Sequence, residues 1–425
     1  MIALHGTVPV RTRIQRMLPF AAAVAVGVAG ACGSDGPGMG PEPENEAAAL
    51  RALALAAGLA AVPDEPVRPV ENPYRAEKVE LGRLLFFDPI LSGPMDVACS
   101  TCHLPRFAFA DGRQFPSGAG GVGLGPERSE PPPPMRPMER NGPTVLNAGL
   151  YGRMSTQPTT NGTMFWGGGA FGIEDQTLNP IAAEKELRGT TYSKVHAIDS
   201  VLTRLRSIAG YVDRFADAYP EIFAVYGTER TRLITATTLR RALAAYVREL
   251  ITPDAPLDRF LKGDDQALSD RAQAGLRLFV EKGACVGCHA GPLLSDFSMH
   301  VLGTRQEGLG RDTTLGDDLG WGEHGGTLYS FRTPPLRQVE LTAPYFHAGT
   351  AATLEEVVLF KRAGVSRHAA VAAPDLDPLF GPLALTDDEV LDLAAFMMAL
   401  TDRTTILGPL FQAPDEVPSG LEVPR

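Results

Sequence analysis

Two short stretches constrain this chain more than any other part of it: Cys99-Ser100-Thr101-Cys102-His103 and Cys285-Val286-Gly287-Cys288-His289. Both have the form C-x-x-C-H. Two thiols three positions apart on a helical turn can each form a thioether to one porphyrin, and the adjacent histidine then reaches the iron as its axial ligand. Paired cysteines are also read as a structural zinc site or a redox dithiol. Zinc requires four ligands, and these pairs lie far apart in the chain. Neither alternative explains a histidine directly after each second cysteine. The expectation is two covalently bound haems c, one on Cys99, Cys102 and His103, the other on Cys285, Cys288 and His289.

That assignment uses four of the five cysteines. The fifth, Cys32, follows an N-terminal stretch with the features of an export signal. Arg11, Arg13 and Arg16 precede an apolar run from Leu18 to Ala31, which is shorter than the ~20 residues of a spanning helix. Cys32 sits between Val28-Ala29-Gly30-Ala31 and Gly33-Ser34, similar to a bacterial lipoprotein cleavage site except that Ala29 stands where leucine is usual. The expectation is a lipoprotein-type signal over residues 1–32, lipidation at Cys32, and a periplasmic location in a Gram-negative bacterium, with membrane contact only through that anchor. A net charge of -11, from 39 basic and 50 acidic residues, argues against a nucleic-acid partner.

The rest of the chain reads as mainly α, with two tandem cytochrome c-like domains, each carrying one c-type haem. Residues 33–72, rich in Gly, Pro, Ala and Glu, suggest a flexible tether with one weak helix around 47–61. An N-terminal haem domain is expected over 73–255 and a C-terminal one over 256–413, joined by a linker near 252–265 and followed by a tail, 414–425. Apolar spacing predicts a helix over Tyr74–Phe87 and a mostly helical stretch over 191–250. Ser269 is a good N-cap for a helix from Asp270 to about Glu281, and Thr386 with Glu389 forms a capping-box pattern. Residues 112–140, with four consecutive prolines at 131–134, form a long loop. No convincing series of strands is present.

Further motifs extend the pattern: Arg140-Asn141-Gly142-Pro143-Thr144-Val145-Leu146-Asn147, Phe165-Trp166, Arg332-Thr333-Pro334-Pro335-Leu336-Arg337, and Leu341-Thr342-Ala343-Pro344-Tyr345-Phe346-His347-Ala348-Gly349 leading into Thr353-Leu354-Glu355-Glu356-Val357-Val358. Together with the haem motifs, over residues 72–402, they make the chain similar to the bacterial di-haem cytochrome c peroxidase family, including its MauG-like and MbnH-like branches. The resemblance implies that Trp166 relays electrons between the haems, although a lone Phe-Trp pair otherwise reads as core packing. It also implies that Gln176 lies in the distal pocket of the N-terminal haem and that Glu186 is its general acid-base group; the plain alternative for Glu186 is a solvated acid in Glu184-Lys185-Glu186. Asn141, Thr342 and Pro344 match calcium ligands between the domains, so one Ca2+ is expected.

Departures from the family pattern matter as much. Phe165-Trp166-Gly167-Gly168-Gly169-Ala170 replaces the family's Phe-Trp-Asp-Gly-Arg-Ala, so the charged partners beside the tryptophan are missing. No histidine occurs between His103 and His196, so the loop after the first haem cannot supply the ligand that blocks the iron in classical members. At the second haem, Lys361 occupies the position of the family's methionine or tyrosine. The sixth ligand there is Lys361, His368 or no residue of the protein.

Three functions are compatible with these residues. One is a MauG-like or MbnH-like enzyme that activates hydrogen peroxide at the N-terminal haem and oxidises residues of a protein partner, typically tryptophan, through Trp166 and the C-terminal haem. A second is a classical peroxidase that reduces peroxide with electrons from a small cytochrome c or cupredoxin. The third is a non-enzymatic di-haem electron carrier, which the pocket groups Glu186 and Gln176 disfavour. The missing blocking histidine favours the first.

Overall fold

A computed structural model describes residues 46–306 and 317–425. The expected export signal and Cys32 lie outside the described residues. The described chain is helical, with 3-10 turns and loops between helices and two very short antiparallel pairs, β1 (Thr163–Met164) with β2 (Ala170–Phe171) and β3 (Met299–His300) with β4 (Phe331–Arg332).

The helices run in chain order as α1 (Glu46–Ala56), α2 (Ala76–Phe87), α3 (Cys99–Cys102), α4 (Ile173–Gln176), α5 (Asn179–Ala182), α6 (Ala197–Arg206), α7 (Ala209–Ala218), α8 (Pro220–Tyr226), α9 (Ala236–Glu249), α10 (Pro256–Leu261), α11 (Asp270–Val280), α12 (Leu354–Ala363) and α13 (Asp387–Met398). Several start where local chemistry says they should. The Ser269 hydroxyl accepts from the Ala272 amide at 3.3 Å. Thr386 and Glu389 exchange hydrogen bonds, with the Thr386 amide donating at 2.7 Å and the Glu389 amide at 3.2 Å. Each satisfies amides that the first turn leaves open.

Two cores form, one per half. In the first, α2 packs along α9, with Phe86, Phe87 and Tyr246 ring to ring. In the second, α11 packs along α13, with Phe279 and Phe396 at 5.0 Å between centroids. Both crossings are glycine contacts: a Cβ on Gly82 would collide with the Ala242 carbonyl, and one on Gly275 with the Asp392 carbonyl. Only a residue without a side chain lets these backbones approach.

The chain ends differ from the sequence reading. Where a tether is expected to residue 72, α1 sits on the C-terminal core through Leu50 and Ala54. It is held by the Arg51–Asp265 pair at 2.5 Å, and the Val62 amide donates to Asp258 at 2.8 Å. The 414–425 tail runs the other way: Val417 and Val423, with Phe411 just before them, belong to the N-terminal core, and the Ser419 hydroxyl donates to buried Asp88 at 2.7 Å. Each end carries apolar residues that its neighbouring domain does not bury. The long loop of 112–140 has one 3-10 turn, Gly125–Glu127, and is organised by the buried Arg128, which donates to the carbonyls of Ser117, Gly118 and Gly123.

Candidate active site

Each C-x-x-C-H segment opens a cavity in its own half. Cys99, Cys102 and His103 line one, and Cys288 and His289 line the other; Cys285 packs at the edge of the second core. The four cysteines are unpaired, so their sulfurs are available for thioethers. His103 Nδ1 donates to the Phe109 carbonyl at 2.9 Å, and His289 Nδ1 to the Leu294 carbonyl at 2.8 Å. A carbonyl only accepts, so the ring proton sits on Nδ1 and the Nε2 lone pair is left for a metal. Burial lowers the pKa of both imidazoles, to about 4 for His289, which keeps them neutral as a ligand must be. Phe86 and Phe279 stand 6.4 Å, centroid to centroid, from His103 and His289 respectively. The donors, their tautomers and the apolar walls fit one covalently attached haem in each half.

The first cavity also gathers Gln176, at the end of α4, and Glu186, in a single wide turn spanning Glu184–Arg188. The Ala119 amide donates to the Glu186 carbonyl at 2.8 Å and the Gly93 amide to the Leu187 carbonyl at 2.8 Å, which fixes the turn against the segments before and after the cysteines. Its neighbours Glu184 and Lys185 pair with Arg188 and Glu139 at the rim. Glu186 is different: burial pushes its carboxyl up to about 7, the range in which an acid can both take and return a proton.

Trp166 lines both the first cavity's wide mouth and the second cavity. Its indole donates to the Asn141 carbonyl at 2.8 Å, and Arg332 pins the segment by donating from its amide to Trp166 O at 2.8 Å and from Nε to Phe165 O at 2.9 Å. Gly167, Gly168 and Gly169, which replace the family's charged neighbours, are where other groups come close: Arg140 and the Gly320 backbone at Gly167, Met299 and Trp321 at Gly168, and His324 at Gly169. The charge pair missing from the Trp166 segment is thus present nearby. Arg140 clamps Asp318 with bonds of 2.7 and 2.6 Å and reaches Glu323 at 3.0 Å. Burial raises the Asp318 pKa, but Arg140 more than offsets it and holds the carboxylate below its usual range.

Asn141, Thr342 and Pro344 share the wall of the second cavity with Trp166. The Asn141 amide group donates to the Arg113 carbonyl at 2.9 Å, which turns its side-chain oxygen toward the acceptor role that a hard cation uses. Lys361 lines the same cavity and His368 does not. His368 instead packs on Tyr329 at 4.9 Å and accepts from the Ala370 amide. Burial pulls the Lys361 amine down to about 8.

Sequence reasoning missed Glu323 and His324, which come from the C-terminal half to the mouth of the first cavity, and the buried Asp318 that Arg140 clamps. Only Arg140, heading the Arg140–Asn147 motif, signalled that region. His300, between Asp377 at 2.6 Å and Asp296 at 3.0 Å, was also unmarked.

The sequence profile of the di-haem cytochrome c peroxidase family matches residues 76–266. A cytochrome-c peroxidase of Denitromonas iodatirespirans is 33% identical over 370 residues, covering 81% of this chain and 86% of that protein. The methylamine utilization protein MauG of Methylorubrum extorquens is 32% identical over 344 residues, covering 80% and 82%. Among solved structures, a MauG-like protein associated with microbial copper homeostasis superposes with a TM-score of 0.67 at 29% identity, over 83% of this chain and 97% of that one.

Proposed function

Because the chain belongs to the di-haem cytochrome c peroxidase family and is an oxidoreductase of that type, we propose that it activates hydrogen peroxide in the His103 cavity and oxidises residues of a protein partner, tryptophan among them. The observation that carries this reading is the division of labour around Trp166. The proton-handling groups Glu186 and Gln176 face the first cavity, while the indole walls both cavities. Haem c in each half would supply the iron that binds peroxide and the redox store that communicates with the outside. His103 and His289 would hold those irons, and Cys99, Cys102, Cys285 and Cys288 the macrocycles.

In this scheme Glu186 accepts a proton from peroxide and returns it to the departing oxygen. Gln176 orients the oxidant by hydrogen bonding. Peroxide takes up two electrons and two protons and leaves as two waters, and the partner loses the two electrons. Trp166, fixed by the Asn141 carbonyl, is the aromatic bridge for them. Asn141, Thr342 and Pro344 would hold one Ca2+ beside that bridge and stiffen it. The export signal and a lipidated Cys32 belong to the same proposal and place the reaction in the periplasm.

The similarity to cytochrome-c peroxidases supports a second reading, in which a small cytochrome c or copper protein supplies the electrons. Spectroscopy of the resting ferric protein before and after one equivalent of peroxide separates the two. The favoured reading expects the iron at His103 to be five-coordinate and high-spin, reacting without prior reduction, because residues 104–195 contain no histidine. Low-spin signals from both irons, with reactivity appearing only after reduction, would overturn it in favour of the second.

A further inference from the structure

We propose that Lys361 is the second protein ligand, besides His289, of the iron in the C-terminal cavity. The inference rests on the two-haem reading above and follows from which donor atoms in that cavity are already engaged. His300 has both ring nitrogens on carboxylates, Asp377 at 2.6 Å and Asp296 at 3.0 Å. His347 has both on Thr304 at 3.1 Å and Gln306 at 2.7 Å. The Tyr345 hydroxyl donates to the Val339 carbonyl at 3.1 Å. Lys361 makes no hydrogen bond or ion pair among the described residues; its amine has only the Phe380 ring, at 5.4 Å.

The helix that carries Lys361 aims it inward. α12 is capped by Thr353, whose hydroxyl accepts from the Glu356 amide at 3.2 Å. Leu354, Val357 and Lys361 recur along it at helical spacing, and all three line the cavity that contains His289. An ammonium there would be a buried charge with a single aromatic contact, a costly state. Binding iron would give the Lys361 amine the polar partner that it lacks among the described residues. Met397, on α13, lines the same cavity and is the competing donor.

The test uses the exported, haem-loaded protein. Haem is counted per chain by the pyridine haemochrome assay, and the ferric wild type, Lys361→Met and Lys361→Ala are compared by electron paramagnetic resonance and near-infrared magnetic circular dichroism. Expected are two haems per chain and, in the wild type, one low-spin centre with two nitrogen ligands. Lys361→Ala should lose that signal and gain a second high-spin one. Lys361→Met, close to lysine in length, should stay low-spin, acquire the methionine-to-iron charge-transfer band, and show a higher midpoint potential. A methionine band already present in the wild type would assign the position to Met397 and overturn the inference. A low-spin signal unchanged in Lys361→Ala would do the same. A single haem per chain would overturn the two-haem reading itself, a different failure visible in the first measurement.

Discussion

On the side that would hold the iron, the two halves of this molecule repeat one design. Gly82 and Phe86 stand four residues apart on α2, as Gly275 and Phe279 do on α11. In each half the glycine admits a crossing helix, the phenylalanine flanks the proximal histidine, and that histidine donates Nδ1–H to a backbone carbonyl a few residues on. The open side of each cavity is where they part. The first offers a carboxyl and an amide, Glu186 and Gln176; the second offers a buried amine, Lys361. On the proposed reading, a shared scaffold would hold the cofactor in each half, and the residues across the cavity would decide whether the site handles protons or closes the iron to substrate.

The comparison can be broken first at Glu186. Glu186→Gln should leave both haems attached and slow peroxide consumption by about 10²–10⁴-fold, the usual contribution of a positioned acid-base group; stopped-flow mixing with peroxide measures it. A rate within a few-fold of wild type would mean that proton transfer does not distinguish the two cavities.

The likeness of the scaffolds is tested by Gly82→Ala and Gly275→Ala. Each adds a methyl against a backbone carbonyl, and overpacking of this kind costs about 1–3 kcal/mol. Urea unfolding should show similar losses for the two variants. A large loss in one and none in the other would show that the two crossings are not equivalent.

Trp166→Phe sharpens the contrast by separating the cavities electronically. Peroxide binding and proton transfer at the first should persist, while oxidation of the protein partner slows tenfold or more, equivalent to about 1.4 kcal/mol of barrier. Single-turnover kinetics with the partner would read this. Turnover at the wild-type rate would remove the indole from the path.

The smallest effect concerns pH. Burial raises the Glu186 carboxyl to about 7, so the basic form is lost as pH falls through that value. The rate of peroxide consumption should then fall by about tenfold per pH unit well below it. In Glu186→Gln the same limb should be flat, and a retained slope would assign the titration to another group.

Much of this was readable beforehand because it is local. The cysteines and histidines sit in five-residue motifs, and Gln176 and Glu186 fall at family spacing from Trp166, so their shared cavity was anticipated. Caps such as Thr386 with Glu389 are likewise four-residue events. The Arg140–Asp318 clamp was not readable, because it joins residues that only tertiary packing brings together. The sequence left both Lys361 and His368 open; the cavity that holds His289 is lined by Lys361, on α12, and not by His368, in the loop beyond it. The docking of α1 was hidden because Leu50 and Ala54 look like a weak isolated helix until the second core is present to receive them.

That exchange of chain ends bears on the order in which the molecule can be made. Phe411, Val417 and Val423 complete a core whose other members begin near residue 62, and Asp88, buried beside the Tyr211 hydroxyl, receives the Ser419 hydroxyl only once the last residues have emerged. During synthesis from the N-terminus, the core of the first half therefore stays incomplete until the second half has been made. Halves cut at the 252–265 linker would each lack part of their own interior, the first Phe411, Val417 and Val423, the second Leu50 and Ala54.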